Sequence, residues 1–213
     1  MDQNTINVQT SYDRIAGEYT AHIAGELAHK PLDRHLLSWF AERVQDLGPV
    51  WDLGCGPGHV ARYLHDRGVD VRGLDLSAEM VAQARQLHPE IVFAQGNMRS
   101  LEAETGSLGG IVAFYSLIHI PHADMVAVLS ELKRVLRPGG ALLLAFHIGQ
   151  EVVHRDEMWE QPVTLDFIFF QTAEMLQYLG AAGFMIEAVL ERAPYVEAEH
   201  PSQRAYICAA RPV

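Results

Sequence analysis

Apolar side chains recur along this chain with two different periods. From Ser11 to about Ala24, and again from Pro31 to about Asp46, the spacing is helical. Leu32, His35, Leu36, Trp39, Phe40 and Val44 share one face, and Pro31 suits a first helical turn. The ten residues before Ser11 are polar, which predicts a frayed end. From residue 49 the pattern changes to short apolar runs, at 49–53, 69–74, 91–94, 110–115 and 141–147. Amphipathic stretches of helical period lie between them at 58–67, 77–88 and 122–136. Strands alternating with helices of this length predict crossover connections, a parallel sheet and an α/β fold. Beyond 147 the regularity breaks. Residues 148–162 are polar, VTLDFIFF at 163–170 predicts a strand, and a helix at 172–181 ends at Gly183. Two more strands are predicted at 184–192 and 203–210. There is no long linker or repeat, so one domain over 1–213 is expected, with helices at 10–46 in front and an inserted segment at 148–170.

Composition narrows the function classes. Of 213 residues, 49% are apolar and 20% charged, ordinary values for a chain with a real core. No run approaches the ~18 to 20 uncharged apolar residues of a membrane span. MDQNTINVQT has no basic region followed by an apolar stretch, so a cytoplasmic protein is expected. The formal net charge is −11 and the 16 basic residues are scattered, which argues against nucleic acid as a partner. Cys55 and Cys208 are too few for a disulfide framework and lack metal-ligand spacing.

The most informative segment is VWDLGCGPGHV at 50–60. An apolar strand runs into Gly54, Gly56 and Gly58, and a helix follows at once. Glycines at such a corner let a ligand approach the backbone, and open α/β sheets bind ligands at the carboxyl ends of their strands. A dinucleotide turn is written G-x-G-x-x-G; here the third glycine arrives one residue early and His59 takes the later slot. No G-K-[ST] is present. Asp52, just before the first glycine, would repel a phosphate but suits an ammonium group. Asp75, about twenty residues on, ends the second predicted strand, where a carboxylate can accept hydrogen bonds from both hydroxyls of a ribose. QGNM at 95–98 follows the third strand and offers a small polar group and Met98 to an adenine.

The chain resembles the class I S-adenosylmethionine-dependent methyltransferases of the small-molecule type. The resemblance runs over roughly residues 10–147. It rests on YDRIAGEY at 12–19, DLGCGPG at 52–58, GLDLS at 73–77, GNM at 96–98, AFYSLIHI at 113–120 and RVLRPGGALLLAFH at 134–147. It implies a Rossmann-like, doubly wound seven-stranded sheet, mostly parallel with an antiparallel last strand. It implies S-adenosylmethionine as cofactor. Asp52, Gly54, Gly56 and Gly58 would then lie along its amino-acid portion, and Asp75 would hold the ribose. Leu76, Asn97 and Met98 would hold the adenine, with Met80 among the cofactor residues. Tyr115 and Ser116 would line the path to the sulfonium, with Tyr12 or Tyr19 closing over it. FYSLIHI lacks the Pro-Pro-Tyr loop of amino-directed relatives, which disfavours nucleobase or glutamine amides as acceptors.

Methyl transfer is an in-line displacement that needs a base only where the acceptor is still protonated. His119, just past the fourth strand, is the candidate base; the alternative is that it only packs under the cofactor. The 148–170 segment is expected to roof the acceptor pocket, with His154, Trp159 and Phe169 facing inward beside His119 and Tyr195. Alternatively, VTLDFIFF is a strand between two copies in a homodimer. His147, His154, Asp156 and Glu157 lack an organised metal spacing, so no metal is expected. The rival functions are a protein that binds the same cofactor without methylating and one that transfers another of its groups.

Overall fold

The computed structural model describes residues 2–196 and 199–213. Seven strands form one sheet: β1 (Val50–Leu53), β2 (Val71–Asp75), β3 (Val92–Gln95), β4 (Leu108–Phe114), β5 (Leu136–Ile148), β8 (Met185–Arg192) and β9 (Gln203–Ala210). They lie in the order β3-β2-β1-β4-β5-β9-β8. All neighbours are parallel except β9, which runs against both β5 and β8. The expected sheet is therefore present, including its antiparallel last strand. Helices α2 (Pro31–Val44), α3 (His59–His65) and α4 (Ala78–Leu87) bury Phe40, Leu64 and Val81 against one face. Helices α5 (His122–Val135) and α6 (Thr172–Ala181) bury Leu129, Leu132 and Met175 against the other. Two-sided cover explains why β4 and β5 read as continuous apolar runs rather than alternating ones. Chain order reverses between β1 and β4, so the rim above these two strands is the switch point where a ligand crevice forms.

Two regions depart from the sequence reading. Helix α1 spans Gln3–Ile23, so the polar start is helix rather than frayed chain. Asp2 caps it by accepting from the Thr5 N–H at 2.8 Å. The buried stripe is Thr5, Val8, Ser11, Ile15 and Ala16, correctly spaced but with two hydroxyl residues that hide the apolar period.

The second departure is the 148–162 stretch, which is not a loop. Val152–Met158 forms β6, paired antiparallel with β7 (Gln161–Ile168) in a separate two-stranded sheet. Trp159 and Glu160 make its turn with φ of 49° and 60°. Positive φ at both central residues of a two-residue loop matches the right-handed strand twist, although glycine or asparagine usually occupies such sites. Trp159 is held there by stacking on His22 at 4.9 Å and by an edge contact with Tyr19. The hairpin packs on α1: Val163 and Leu165 meet Val8 and Ile15, and Ser11 Oγ accepts from the Thr164 N–H at 2.8 Å. VTLDFIFF thus finds its partners within the chain.

Candidate active site

The corner after β1 is built on left-handed backbone. Gly54, Gly56 and Gly58 have φ of 68°, 51° and 83°, values that favour glycine. They do different jobs. A Cβ on Gly54 would stand 2.3 Å from Ser116 Cβ, so this glycine lets the β1 and β4 ends touch. A Cβ on Gly56 would meet only Tyr19 Cε1, at 3.5 Å, and so would stand in the cleft. Gly58 lines neither of the two cavities on this rim. A Cβ there would meet Phe93 Cζ at 2.7 Å, so its expected place beside the cofactor is corrected to a packing role.

Two carboxylates brace this corner. Asp75 accepts from the Gly56 N–H at 2.8 Å and the Ser77 N–H at 2.9 Å. Burial, only partly offset by those bonds, raises its pKa to about 6. Asp52 is buried and accepts from the Ala61 N–H at 3.0 Å; burial raises its pKa to about 7. A carboxylate held this close to protonation gains most from a ligand cation. Ser77 caps α4 by accepting from the Met80 N–H, and donates to Asp13 of α1 at 2.6 Å.

Two cavities open on the rim and share Tyr12, Tyr19, Gly54, Gly56, Phe114 and Tyr115. The first also takes in Asp75, Leu76, Met80, Asn97, Met98, Ser116 and His119. Ser116 Oγ is buried there without a hydrogen-bond partner among the described residues, an unmet valence that a ligand can satisfy. The second reaches past Asp52 and His59 to Lys30, His147, Glu199, His200 and Arg204, under Met158 and Phe167 of the hairpin. Tyr115, at the junction, is a non-glycine residue at φ 53°, a local cost that the surrounding packing must hold.

A methyltransferase domain model matches residues 50–140. That span contains β1 to the start of β5, with both carboxylates and all three glycines of the corner. The chain contains a class I S-adenosylmethionine-dependent methyltransferase domain. It is similar to the malonyl-[acyl-carrier protein] O-methyltransferase of Enterobacter lignolyticus, with 32% identity over 71% of this chain and 58% of that protein. It is also similar to the demethylmenaquinone methyltransferase of Beutenbergia cavernae, with 31% identity over 68% of this chain and 60% of that protein. The chain thus spans about three fifths of these relatives. Solved structures share the methyltransferase fold. A S-adenosylmethionine-dependent methyltransferase of Methanosarcina mazei superposes with TM-score 0.71 at 19% identity, over 81% of this chain and 96% of that one. The [4+2]-cyclase SpnF superposes with TM-score 0.74 at 19% identity, over 98% and 97%.

The residues of this methyltransferase domain fit the cofactor. The open side of Gly56, the unmet Ser116 hydroxyl and two buried carboxylates at the ends of β1 and β2 suit an adenosine with a zwitterionic tail.

The acceptor-side expectations fare differently. His119 is buried, and its Nδ1 lies 2.9 Å from the Asp166 carbonyl, which can only accept; Nδ1 therefore carries the proton. Its Nε2 then accepts from the Tyr12 hydroxyl at 2.8 Å. Burial lowers its pKa to about 4. Both nitrogens are engaged and the ring is a weak base, so the geometry favours the packing role over the catalytic one. His154 does not face inward: its side chain is 57% exposed and pairs with Asp166 at 2.7 Å on the outer side of the hairpin. Trp159 anchors the hairpin tip on α1. Phe169 is buried one shell back, stacked on His147. Tyr195 accepts from the Leu32 N–H at the start of α2 and lies against Arg192. None of these four lines either cavity.

Sequence reasoning missed a charged network behind Tyr115. The Tyr115 and Tyr206 hydroxyls are 3.2 Å apart, and Tyr206 donates to Asp33 at 2.9 Å. Arg192 bridges Asp33 and both oxygens of Glu199, at 3.0, 2.6 and 2.8 Å. Lys30 pairs with Glu26 at 2.7 Å, and Glu26 also meets His59 at 3.3 Å. Burial pushes Glu26 up, but His59 and Lys30 outweigh it and hold its pKa at about 2. Asp33 and Arg192 are 159 positions apart, and no local motif marks the network.

Proposed function

We propose that this chain transfers the methyl group of S-adenosylmethionine to a small-molecule acceptor entering through the second cavity. The observation that carries this reading is the junction of the two cavities at Tyr12, Tyr19, Gly54, Gly56 and Tyr115. Asp75, Leu76, Asn97 and Met98 hold the adenosine in the first cavity, and Asp52 holds the ammonium group of the tail at the glycine corner. When bound, the cofactor supplies a methyl group on a sulfonium, whose departure as a neutral thioether needs alignment and dryness more than acid catalysis. Tyr12 and Tyr19 of α1 and Met158 and Phe167 of the hairpin exclude water from the junction. His119 fixes the Tyr12 hydroxyl, a positioning task. The hairpin is the lid of the acceptor site, acting through its inner face rather than through His154.

One fold neighbour is named for a cyclisation, so the fold alone does not carry methyl transfer; the carboxylate-braced glycine corner and the domain match do. The acidic chain with scattered basic residues supports a small acceptor over nucleic acid. No described helix is long and apolar enough to cross a membrane, in keeping with the proposed cytoplasmic setting. Exposed Met185, Ile186 and Val189 on edge strand β8 support a homodimer contact there.

Calorimetry tests the cofactor. S-adenosylmethionine and its demethylated product should bind while NAD does not, and Asp75→Ala should cost about 1–3 kcal/mol of affinity by leaving its partners unpaired. Incubation with the cofactor and a metabolite mixture, read by mass, should yield a product heavier by one methylene. Tight NAD binding with no response to the sulfonium overturns the reading.

A further inference from the structure

The second cavity is lined by charges of both signs. Asp52 and His59 stand at its glycine corner and Arg204, His147 and His200 at its β5–β9 side, with the Glu26–Lys30 pair linking His59 to Glu199 between them. The side chains of Arg204 and Lys30 are only 3% and 7% exposed. A cation buried this deeply is costly unless it is paired and hydrogen-bonded. Lys30 has Glu26. Arg204 is worse provided: one guanidinium nitrogen donates to the His200 carbonyl at 2.7 Å and to the Ser202 carbonyl, both neutral. Its Nε is buried without a hydrogen-bond partner among the described residues.

That same Nε stands 3.4 Å from the Glu199 carboxylate, an ion-pair contact without a hydrogen bond. That group is already engaged, accepting from Arg192 at 2.6 and 2.8 Å and from the Tyr195 N–H at 2.8 Å. Lys30 lies 3.6 Å from it as well. Arg192 and Lys30 also have carboxylates of their own, Asp33 at 3.0 Å and Glu26 at 2.7 Å, so Arg204 is the cation left with only a share of Glu199. The imidazoles feel these cations. Burial, and then the charges of Arg204, His200 and Lys30, hold the His147 pKa at about 3. His200 is also lowered, by burial and then by Arg204 and Arg155. Met158 and Phe167 give the walls of the cavity an apolar lining.

Resting on the methyl-transfer reading, we infer that the Arg204 end of the cavity is a carboxylate subsite, and that the acceptor is an organic acid that anchors there while its body lies under Met158 and Phe167. The planar guanidinium matches a carboxylate's two oxygens. A single negative charge suits the subsite better than a phosphate dianion because Glu199 stays within 3.4 Å. A carboxylate can reach this end from two sources, the acceptor or the amino-acid tail of the cofactor, and the subsite is assigned to the acceptor because the ammonium partner Asp52 lies on β1, three strands along the sheet from Arg204 on β9.

The test is calorimetry on protein saturated with S-adenosylhomocysteine, titrated with benzoate and octanoate and with the uncharged benzamide and octanamide. At least one acid should bind ten times more tightly than its amide. Arg204→Gln should erase that preference while changing S-adenosylhomocysteine affinity less than threefold. Equal binding of acids and amides, or no binding of either to the loaded wild-type protein, overturns the subsite without touching the cofactor assignment. So does an Arg204→Gln variant that loses tenfold in S-adenosylhomocysteine affinity but binds 5′-methylthioadenosine normally, since the carboxylate held there would be the cofactor's. The acid-to-amide ratio on wild-type protein stands even if the variant does not fold. Failure of the wild-type protein to bind S-adenosylhomocysteine at all would instead remove the methyl-transfer reading, and the acceptor assignment with it.

Discussion

The two ends of the cleft are made in opposite ways. At the glycine corner, Asp52, Gly54, Gly56 and Asp75 lie within 24 positions, and backbone N–H groups satisfy the carboxylates. At the far end, Lys30, Asp33, Arg192, Glu199, Arg204 and Tyr206 meet through side chains drawn from the two ends of the chain. The first end gets its geometry from one tight turn. The second depends on the whole sheet being in register, because β9 must pair with β5 to set Arg204 beside His147. A site written locally tolerates distant change, whereas one assembled at long range is sensitive to any element that carries it.

The sharpest way to break this contrast is Arg192→Ala. It strips the salt-bridge partner from Asp33 and the bidentate partner from Glu199, whose side chains are each 1% exposed. The expected loss is about 3–5 kcal/mol of folding stability, read as a lower denaturant midpoint. The glycine corner, once folded, should still bind S-adenosylhomocysteine. A variant as stable as the parent would show that the network is ornament rather than framework.

A smaller effect comes from Asp52, through pH. Its folded pKa of about 7 lies above the unfolded value of ~3.9, so the folded state binds the extra proton between these values. Its contribution to stability is therefore full below about pH 4 and is lost as pH rises through 7. Cofactor binding runs the other way, because the ammonium group favours the ionised form, so affinity should fall as pH drops from 8 to 5. Asp52→Asn should raise the melting temperature of the ligand-free protein at pH 8, where the parent carries a buried charge, and flatten the pH dependence of binding. Melting curves and calorimetry at both pH values check this.

The smallest effect belongs to His154. Being exposed and off the cavity, it should give a His154→Ala variant within about 0.5 kcal/mol of the parent in stability and unchanged in cofactor affinity. A large loss of either would place the outer face of the hairpin in the site after all.

The same contrast explains what the sequence disclosed. The rim positions of Asp52, Asp75, Asn97 and Met98 were legible because each lies at or just past the carboxyl end of an apolar strand, and strand ends are where such folds bind ligands. Arg204 and Lys30 were not, since nothing in HPSQRAY around Arg204 or in AHKPL around Lys30 distinguishes a buried basic residue from a surface one. Strand β6 was hidden because VVHRDEM faces solvent along most of its length and alternates too little to show a period of two. His154 was misplaced by the same pairing: its register opposite Asp166 sets the side chain outward, and register is invisible until the turn at Trp159–Glu160 is known.

That turn belongs to an excursion with a simple boundary. The chain leaves the rim at Ile148 and returns at Phe170, and the two residues are joined by a single bridge. Its ends are neighbours, so the cost of closing it rises only slowly with length. A longer, shorter or differently lined hairpin can therefore be exchanged there as a cassette, leaving the β5–β9 pairing undisturbed. With the hairpin as the proposed lid, substrate range in a domain of this design can then diverge by replacing one surface appendage, at a pace unconnected to that of the cofactor corner beneath it.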